Sequence, residues 1–359
     1  MTLPPRPLAL ILLVLPITGC ATHSDYRRPA MATPASWPHA SAETSAKASD
    51  LSGRWWTAFG DERLDALVER VIARNPDLAA ATIAVRRAQL QAGLVRYDQL
   101  PQLSAGGSAS ATRALDSGPT SSSFSASASV SYEVDLWNRL GSITSAAQWA
   151  ARATQQDLEA TRLALIGTTA SLYYQSAWLH DRLDLNAQSI DTARRTLMLI
   201  EAQYDAGATS GLELAEARQS LETQEASRTT LLQQQVETTN AITALLDGEE
   251  ATPYIGSGLT GIEPPPVAAG VPASLLARRP DLRAAEMRLR SSLADIDAAT
   301  AAFYPTLSLT GQAGDSSSSL SKLLSDPVGT LLASITLPFL NYERVRLNRA
   351  ISRADYDAA

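Results

Sequence analysis

Between Phe124 and Trp137 the chain alternates. Phe124, Ala126, Ala128, Val130, Tyr132, Val134 and Leu136 fall on one side, and Ser125, Ser127, Ser129, Ser131, Glu133 and Asp135 on the other. A period of two marks a strand, because successive side chains point to opposite faces of a pleat. The run exceeds a typical soluble strand of ~5–6 residues and suits a tilted membrane strand, which needs about 9–11. Its polar side is small and hydroxylic and ends in two acids, as a wet lumen allows. A long edge strand of a soluble sandwich gives the same alternation. Leu103–Arg113 alternates more weakly through Leu103, Ala105, Gly107, Ala109 and Ala111, and Asp116-Ser117-Gly118-Pro119 turns one run into the other.

Around this hairpin the period changes to that of a helix. Asp61 can cap a helix whose apolar stripe is Leu64, Leu67, Val68, Val71 and Ile72. Asn75-Pro76-Asp77 breaks it, and Asp77 restarts a helix that runs to about Gln99, before Pro101. From about Ser142 to Ala206 there is no proline and one glycine, Gly167, in a segment dominated by Ala, Gln, Leu, Arg and Glu. About 65 residues at 1.5 Å rise make a helix of roughly 100 Å. Gly207-Ala208-Thr209-Ser210-Gly211 turns the chain, a second helix returns over about 212–246, and Asp247-Gly248 ends it. The alternative for this pair is a plain coiled-coil hairpin.

The second part of the chain repeats the first. Pro76-Asp77-Leu78 recurs as Pro280-Asp281-Leu282, and at the same offset of 204 Ala80, Ala81, Arg86, Pro101 and Leu103 match Ala284, Ala285, Arg290, Pro305 and Leu307. Eight identities over positions 76–103 exceed the roughly 2–3 that chance gives in an alanine-rich chain, which marks an internal repeat. A helix over about 274–303, strands over about 306–313 and 328–337, and the start of a last helix complete the second unit. In the second strand Leu331, Ala333, Ile335 and Leu337 share a side. The expected fold class is mainly α with transmembrane β-strands, in two helix-strand-strand-helix repeats, 54–252 and 253–359. Four strands cannot close a barrel without leaving open edges in lipid, so several chains must contribute. The offset carries a further expectation. The first helical hairpin ends near 247, so the second would end near about 451, whereas this sequence has 359 residues. The second repeat is therefore expected to be incomplete.

Composition narrows the chemistry. A net charge of −7 argues against a nucleic-acid partner. A single cysteine, Cys20, excludes an intrachain disulfide and a cysteine-based metal site, and three histidines far apart in sequence make no metal centre; no cofactor is expected. Past residue 20 no apolar run approaches the ~20 residues of a membrane helix, so a membrane span must be built from strands. No Gly-x-Ser-x-Gly, phosphate-binding glycine loop or His-Glu-x-x-His occurs, and no enzyme activity is expected. Glu133 and Asp135 could pose as a carboxylate pair; lumen-lining charge that favours cations is the preferred reading.

The first 19 residues read as a secretory signal, with Arg6, the apolar run Leu8–Leu15 and then small residues. Ile17-Thr18-Gly19-Cys20 resembles the lipobox of bacterial lipoproteins. That resemblance implies cleavage before Cys20, a diacylglycerol thioether on its sulfur and an acyl group on its new amine. Ala21 in place of aspartate implies sorting to the outer membrane. Residues 20–53 then form a lipid-anchored extension rich in Ala, Ser, Thr and Pro.

Taken in order, these features resemble the TolC-like outer membrane efflux factors, in their lipoprotein branch. The resemblance rests on the lipobox, Trp55-Trp56 before Phe59-Gly60-Asp61, Asn75-Pro76-Asp77-Leu78, Tyr132-Glu133-Val134-Asp135-Leu136-Trp137, Tyr204 with Gly207, and Arg279-Pro280-Asp281-Leu282 followed by Tyr304-Pro305. It implies a homotrimeric passive duct in which each protomer gives four strands to one twelve-stranded barrel in outer membrane lipid and long antiparallel helical hairpins continue the barrel through the periplasm. It implies small-molecule cargo such as drugs, received from an inner-membrane efflux pump through a periplasmic adaptor protein. It places the turn carrying Tyr204, Gly207, Leu212 and Leu214 at the periplasmic end, where an adaptor docks. It also implies that the gating residues fall in the part of the second repeat that the sequence does not contain. The alternatives are a lipid-anchored periplasmic adaptor, whose hairpin is flanked by lipoyl-like and barrel β-domains that two lipid-length β-hairpins do not match, and a non-functional fragment of an efflux channel.

Overall fold

The computed structural model describes residues 24–28, 34, 53–113, 115–116, 120–255, 258–265 and 276–359. The signal segment, Cys20 and most of the tether lie outside the described residues. The elements in chain order are α1 (Glu62–Arg74), α2 (Pro76–Tyr97), β1 (Gln102–Arg113), β2 (Thr120–Val134), α3 (Arg139–Asp205), α4 (Gly211–Leu245), α5 (Pro280–Ala301), β3 (Thr306–Ser317), β4 (Val328–Thr336) and α6 (Tyr342–Ala358).

The repeat is written in these boundaries. Helices α2 and α5 have 22 residues each and their starts, Pro76 and Pro280, differ by the offset of the sequence identities. Strands β1 and β3 have 12 residues each, and Gln102 and Thr306 differ by the same amount. The chain divides into two compact units. One contains residues 24–28, 88–151 and 286–359 and holds the sheet; the other contains the described parts of 30–87 and 152–285.

In the sheet-bearing unit the four strands are antiparallel in the order β1-β2-β3-β4. Register fixes the faces, since directly paired residues share a side. Leu103 pairs with Val130, Ala105 with Ala128 and Ala109 with Phe124. Tyr132 pairs with Leu309 and Val134 with Leu307, and these continue to Ala333 and Ile335 on β4. That face is apolar from the base of the sheet to Ala128, and toward the β1–β2 hairpin it turns polar, with Asp315 opposite Ala126, Ser317 opposite Phe124, Ser122 opposite Ala111 and Thr120 opposite Arg113. The reverse face carries hydroxyls: Ser104 and Ser129 bond Oγ to Oγ at 2.8 Å, as do Ser108 and Ser125. On the same face Ser131 pairs with Thr310 and Glu133 with Ser308. Leu332 opposite Thr310 is an apolar residue among these hydroxyls. Gly314 lets two strands approach closely, because a Cβ there would meet the Ala126 carbonyl oxygen at 2.9 Å and Ser127 Cβ at 3.0 Å.

In the other unit a core forms where α1 is folded onto two longer helices. Asp61 caps α1 by accepting hydrogen bonds from the N–H groups of Arg63 and Leu64. Leu64, Leu67, Val68 and Val71 are buried, together with Trp56, with Leu165, Ile166 and Tyr173 of α3, and with Ile242 and Leu246 at the end of α4. Each such side chain stabilises the fold by about 1.5–3 kcal/mol relative to exposure. Tyr173 donates its hydroxyl to Asp61 at 2.6 Å; burial, and then this bond, push its phenol above the usual range. Burial pushes neighbouring Tyr174 to about 12, with the charges of Asp61 and Asp65 adding to it. Arg70 holds Glu249 through three contacts of 2.6 to 3.0 Å, and Arg74 adds two at 3.1 and 3.3 Å. These bonds, Arg70's first, keep the Glu249 carboxyl below its ordinary range.

Two expectations are corrected. The helix after the break begins at Pro76 with Asn75 as its cap: Asn75 Oδ1 accepts from the N–H groups of Asp77 and Leu78, so Asp77 lies inside the helix. Strand β2 runs from Thr120 to Val134, so Leu136 and Trp137 lie in the following turn and not on the strand's apolar face.

Candidate functional site

No helix among the described residues is long and apolar enough to cross a membrane. The functional geometry lies in three places: the two-faced sheet, the turn at its base, and the turn between α3 and α4.

At the base of the sheet Glu133, the penultimate residue of β2, accepts a hydrogen bond from Arg139 Nη2 at 2.6 Å. Asp135 lies one residue past the strand, and its Oδ2 accepts from the N–H of Gly141 at 2.8 Å in the first turn of α3. The unpaired N–H groups of a helix start favour a carboxylate there. The structure therefore gives the two acids different local partners and does not hold them as a mutual pair. Trp137 stacks on Tyr304 at 4.7 Å between centroids and donates its Nε1–H to the carbonyl of Pro305 at 2.9 Å. This ties the turn after β2 to the residues that enter β3. The sequence showed the aromatic and acidic residue types; Arg139 as the partner of Glu133 carried no pattern that would single it out.

The turn between α3 and α4 is built by two helix-end motifs. Gly207 has φ +71, in the left-handed region, and its N–H donates to the Tyr204 carbonyl at 2.9 Å. The Ala208 N–H donates to the Gln203 carbonyl at 2.8 Å, completing a Schellman stop. Three residues later Ser210 caps α4 in a capping box: its N–H donates to Glu213 Oε2 at 2.6 Å, and its Oγ accepts from the Glu213 N–H at 3.4 Å. Thr209 also donates its hydroxyl to Glu213. These donors, Thr209 first, hold the Glu213 carboxyl down at about 2. Tyr204 and Leu212 are exposed and Leu214 is half-buried. Ser-x-x-Glu at 210–213 is a sequence signature of a helix start, so Ser210 and Glu213 are readable from spacing alone, beside the glycine at 207.

A chain of long helices with one two-faced antiparallel sheet among its described residues presents a membrane-facing scaffold, not a catalytic cleft. The comparisons with known proteins agree. The outer membrane efflux protein family model matches residues 67–248 and 271–359, and the chain belongs to that family. It is an outer membrane efflux channel protein, and such proteins are channels rather than enzymes. The pyoverdine export outer membrane protein OpmQ of Pseudomonas putida is 36% identical over 375 residues, covering 99% of this chain and 78% of the relative. The outer membrane protein OprJ of Pseudomonas aeruginosa is 32% identical, covering 97% of this chain and 75% of the relative. Among solved structures, the transmembrane channel CusC superposes with a TM-score of 0.81 at 27% identity, covering 94% of this chain and 78% of that chain. The fold class is the expected one, mainly helical with long helical hairpins and a four-stranded antiparallel sheet of the kind that builds a β-barrel. The adaptor alternative falls with this assignment.

Proposed function

We propose that three copies of the chain assemble into one passive duct, each contributing β1–β4 to a shared barrel in the outer membrane. The observation that carries this reading is the sheet itself. One face is apolar and exposed, with Leu103 79%, Leu331 85% and Ile335 66% accessible, and the other is lined by hydroxyls. An exposed apolar surface of this extent needs a cover. Lipid on one side and water on the other match the two faces.

Cys20 carries the lipid anchor that joins the chain to outer membrane lipid. Glu133 and Asp135 sit at the base of the lumen, where Arg139 offsets the charge of Glu133 and Asp135 carries the negative charge that favours cations. The turn with Tyr204, Gly207, Leu212 and Leu214 receives a periplasmic adaptor protein, which links the duct to an inner-membrane efflux pump. Support for the docking turn is its rigid double cap together with the exposure of Tyr204 and Leu212. The cargo is small molecules such as drugs, in keeping with the pyoverdine, drug and antibiotic export named for the relatives.

Paired substitutions test the face assignment. Ala128 lies between Ala105 and Ala313 on the apolar face, and Ser127 lies between Gly106 and Gly314 on the other. Ala128→Arg places a cation toward lipid at a cost of roughly 2–4 kcal/mol near mid-bilayer. Ser127→Arg points into water beside two glycines. Trimer yield in outer membranes should fall sharply for the first and stay near wild type for the second; equal yields would remove the assignment.

A further inference from the structure

Four residues after Cys20 the described chain is fastened to α5. Ser24 engages both carboxylate oxygens of Asp297, its N–H donating to Oδ2 at 3.0 Å and its hydroxyl to Oδ1 at 2.6 Å. Asp297 is 5% exposed. Arg28 pairs with Glu286, about three turns nearer the start of α5. Between these two ties Arg290 is sandwiched by aromatic rings, with its guanidinium carbon 4.5 Å from the Tyr26 ring centroid and 4.8 Å from that of Trp149 on α3. Arg290 Nη2 also donates to Glu286 at 2.7 Å, so one carboxylate serves both arginines. One residue further along α5, Ser291 donates its hydroxyl to the Ala146 carbonyl at 2.9 Å, which fixes the α3–α5 seam that carries Trp149.

The internal repeat supplies a comparison. Arg86 of α2 is the residue equivalent to Arg290, and it is exposed with no hydrogen bond or ion pair among the described residues. The same arginine is thus idle in one repeat and enclosed in the other, where residues 24–28 lie. An arginine flanked by two ring faces gains from each, and desolvation strengthens both contacts.

We propose that Tyr26, Arg290 and Trp149, with Glu286 and Asp297, form a clasp that locks the N-terminal segment onto α5 and so holds the lipid anchor at the foot of the sheet, in place of a freely trailing tether. The inference rests on the reading of Cys20 as the lipid attachment site. Chain reach makes it consistent. Cys20 lies within roughly 14 Å of Ser24 even when the four intervening steps are fully extended. Asp297 is about 6 Å along the helix axis from Ala301, where α5 ends. Just beyond, Tyr304 and Trp137 stack at the entry to β3, and such amphipathic rings favour the membrane–water interface. Acyl chains leaving Cys20 would therefore enter lipid beside the strands, with their depth set by the clasp.

Limited proteolysis of the full chain in phosphatidylethanolamine–phosphatidylglycerol vesicles tests this. Trypsin can cut between Arg27 and Arg28, inside the clasp, and the mass of the released fragment reports whether Cys20 is acylated. Wild type should resist at this bond. Tyr26→Ala alters only the strap and leaves the α3–α5 seam intact; Arg290→Ala removes the enclosed cation. Each should raise the cutting rate roughly tenfold, with cutting elsewhere unchanged and the fragment still acylated. Equal rates in all three proteins would overturn the clasp. A protected bond whose fragment, once released, carries no acyl group would overturn the anchor reading, and with it the role of the clasp in placing lipid.

Discussion

At the scale of single residues, Glu213 shows how much one side chain does at the α3–α4 turn. It accepts from Thr209 and from the Ser210 N–H, and its own N–H closes the capping box. Its carboxyl lies at about 2, lowered from an ordinary 4.5. A group whose folded value is depressed stabilises the fold above its unfolded value and loses that contribution as pH falls through the folded one. The turn should therefore be fully capped above about pH 4.5 and loosen progressively toward pH 2. The Ser210 amide reports this directly, since its hydrogen is bonded to Glu213. Its hydrogen-exchange protection factor should fall across that window in the wild type. In Glu213→Gln the protection should be lower at neutral pH and flat with acid. A wild-type protection factor that does not change down to pH 2 would refute the assignment.

Elements begin and end where particular side chains satisfy the backbone, and this decides what the sequence discloses. Asn75 is 3% exposed, accepts from two N–H groups at the start of α2 and donates its Nδ2 to the Leu245 carbonyl at 3.2 Å. Asn75→Ala removes a cap and strands a carbonyl, at a combined cost of about 1–3 kcal/mol. Asn75→Asp keeps the acceptor and loses the donor, so its unfolding midpoint in denaturant should fall between those of wild type and the alanine variant. If all three midpoints coincide, the cap carries no weight. The long helices, the α1 stripe, the Asp61 cap and the repeat at positions 76–103 were legible, because each leaves a periodic or positional mark. Asn75 as cap was readable in principle, since proline favours the first helical position and points to the residue before it. The ends of β2 were not readable. Its start lies in Thr120-Ser121-Ser122-Ser123, which has no alternation to see. Past its end, Asp135, Leu136 and Trp137 continue the alternation although the chain has already turned. The Asp135 carboxylate and the Trp137 indole are spent on Gly141 and Pro305, which are tertiary partners that no local pattern records.

For the whole molecule the decisive feature is the pair of sheet edges. Among the described residues strand β1 pairs only with β2, and β4 only with β3, so 12 residues on one side and 9 on the other present an edge without a partner strand there. In water such edges are tolerable; in hydrocarbon each unsatisfied N–H or C=O costs several kcal/mol. A single chain therefore cannot hold this sheet in a bilayer, and the edges must meet those of other copies. Folding of the strands and association of the chains then become one event, because neither is stable without the other. This coupling is measurable. On serial dilution in mild detergent, the strand signal in the infrared amide I band should fall in step with the trimer fraction followed by sedimentation, while the helical signal persists, since the helical core around Leu64, Leu67 and Ile242 lies in the unit without the sheet. Ala128→Arg should shift both the strand and trimer curves to higher protein concentration together. A monomer that keeps its full strand signal on dilution would show that the edges need no partner, and the shared barrel would have to be abandoned.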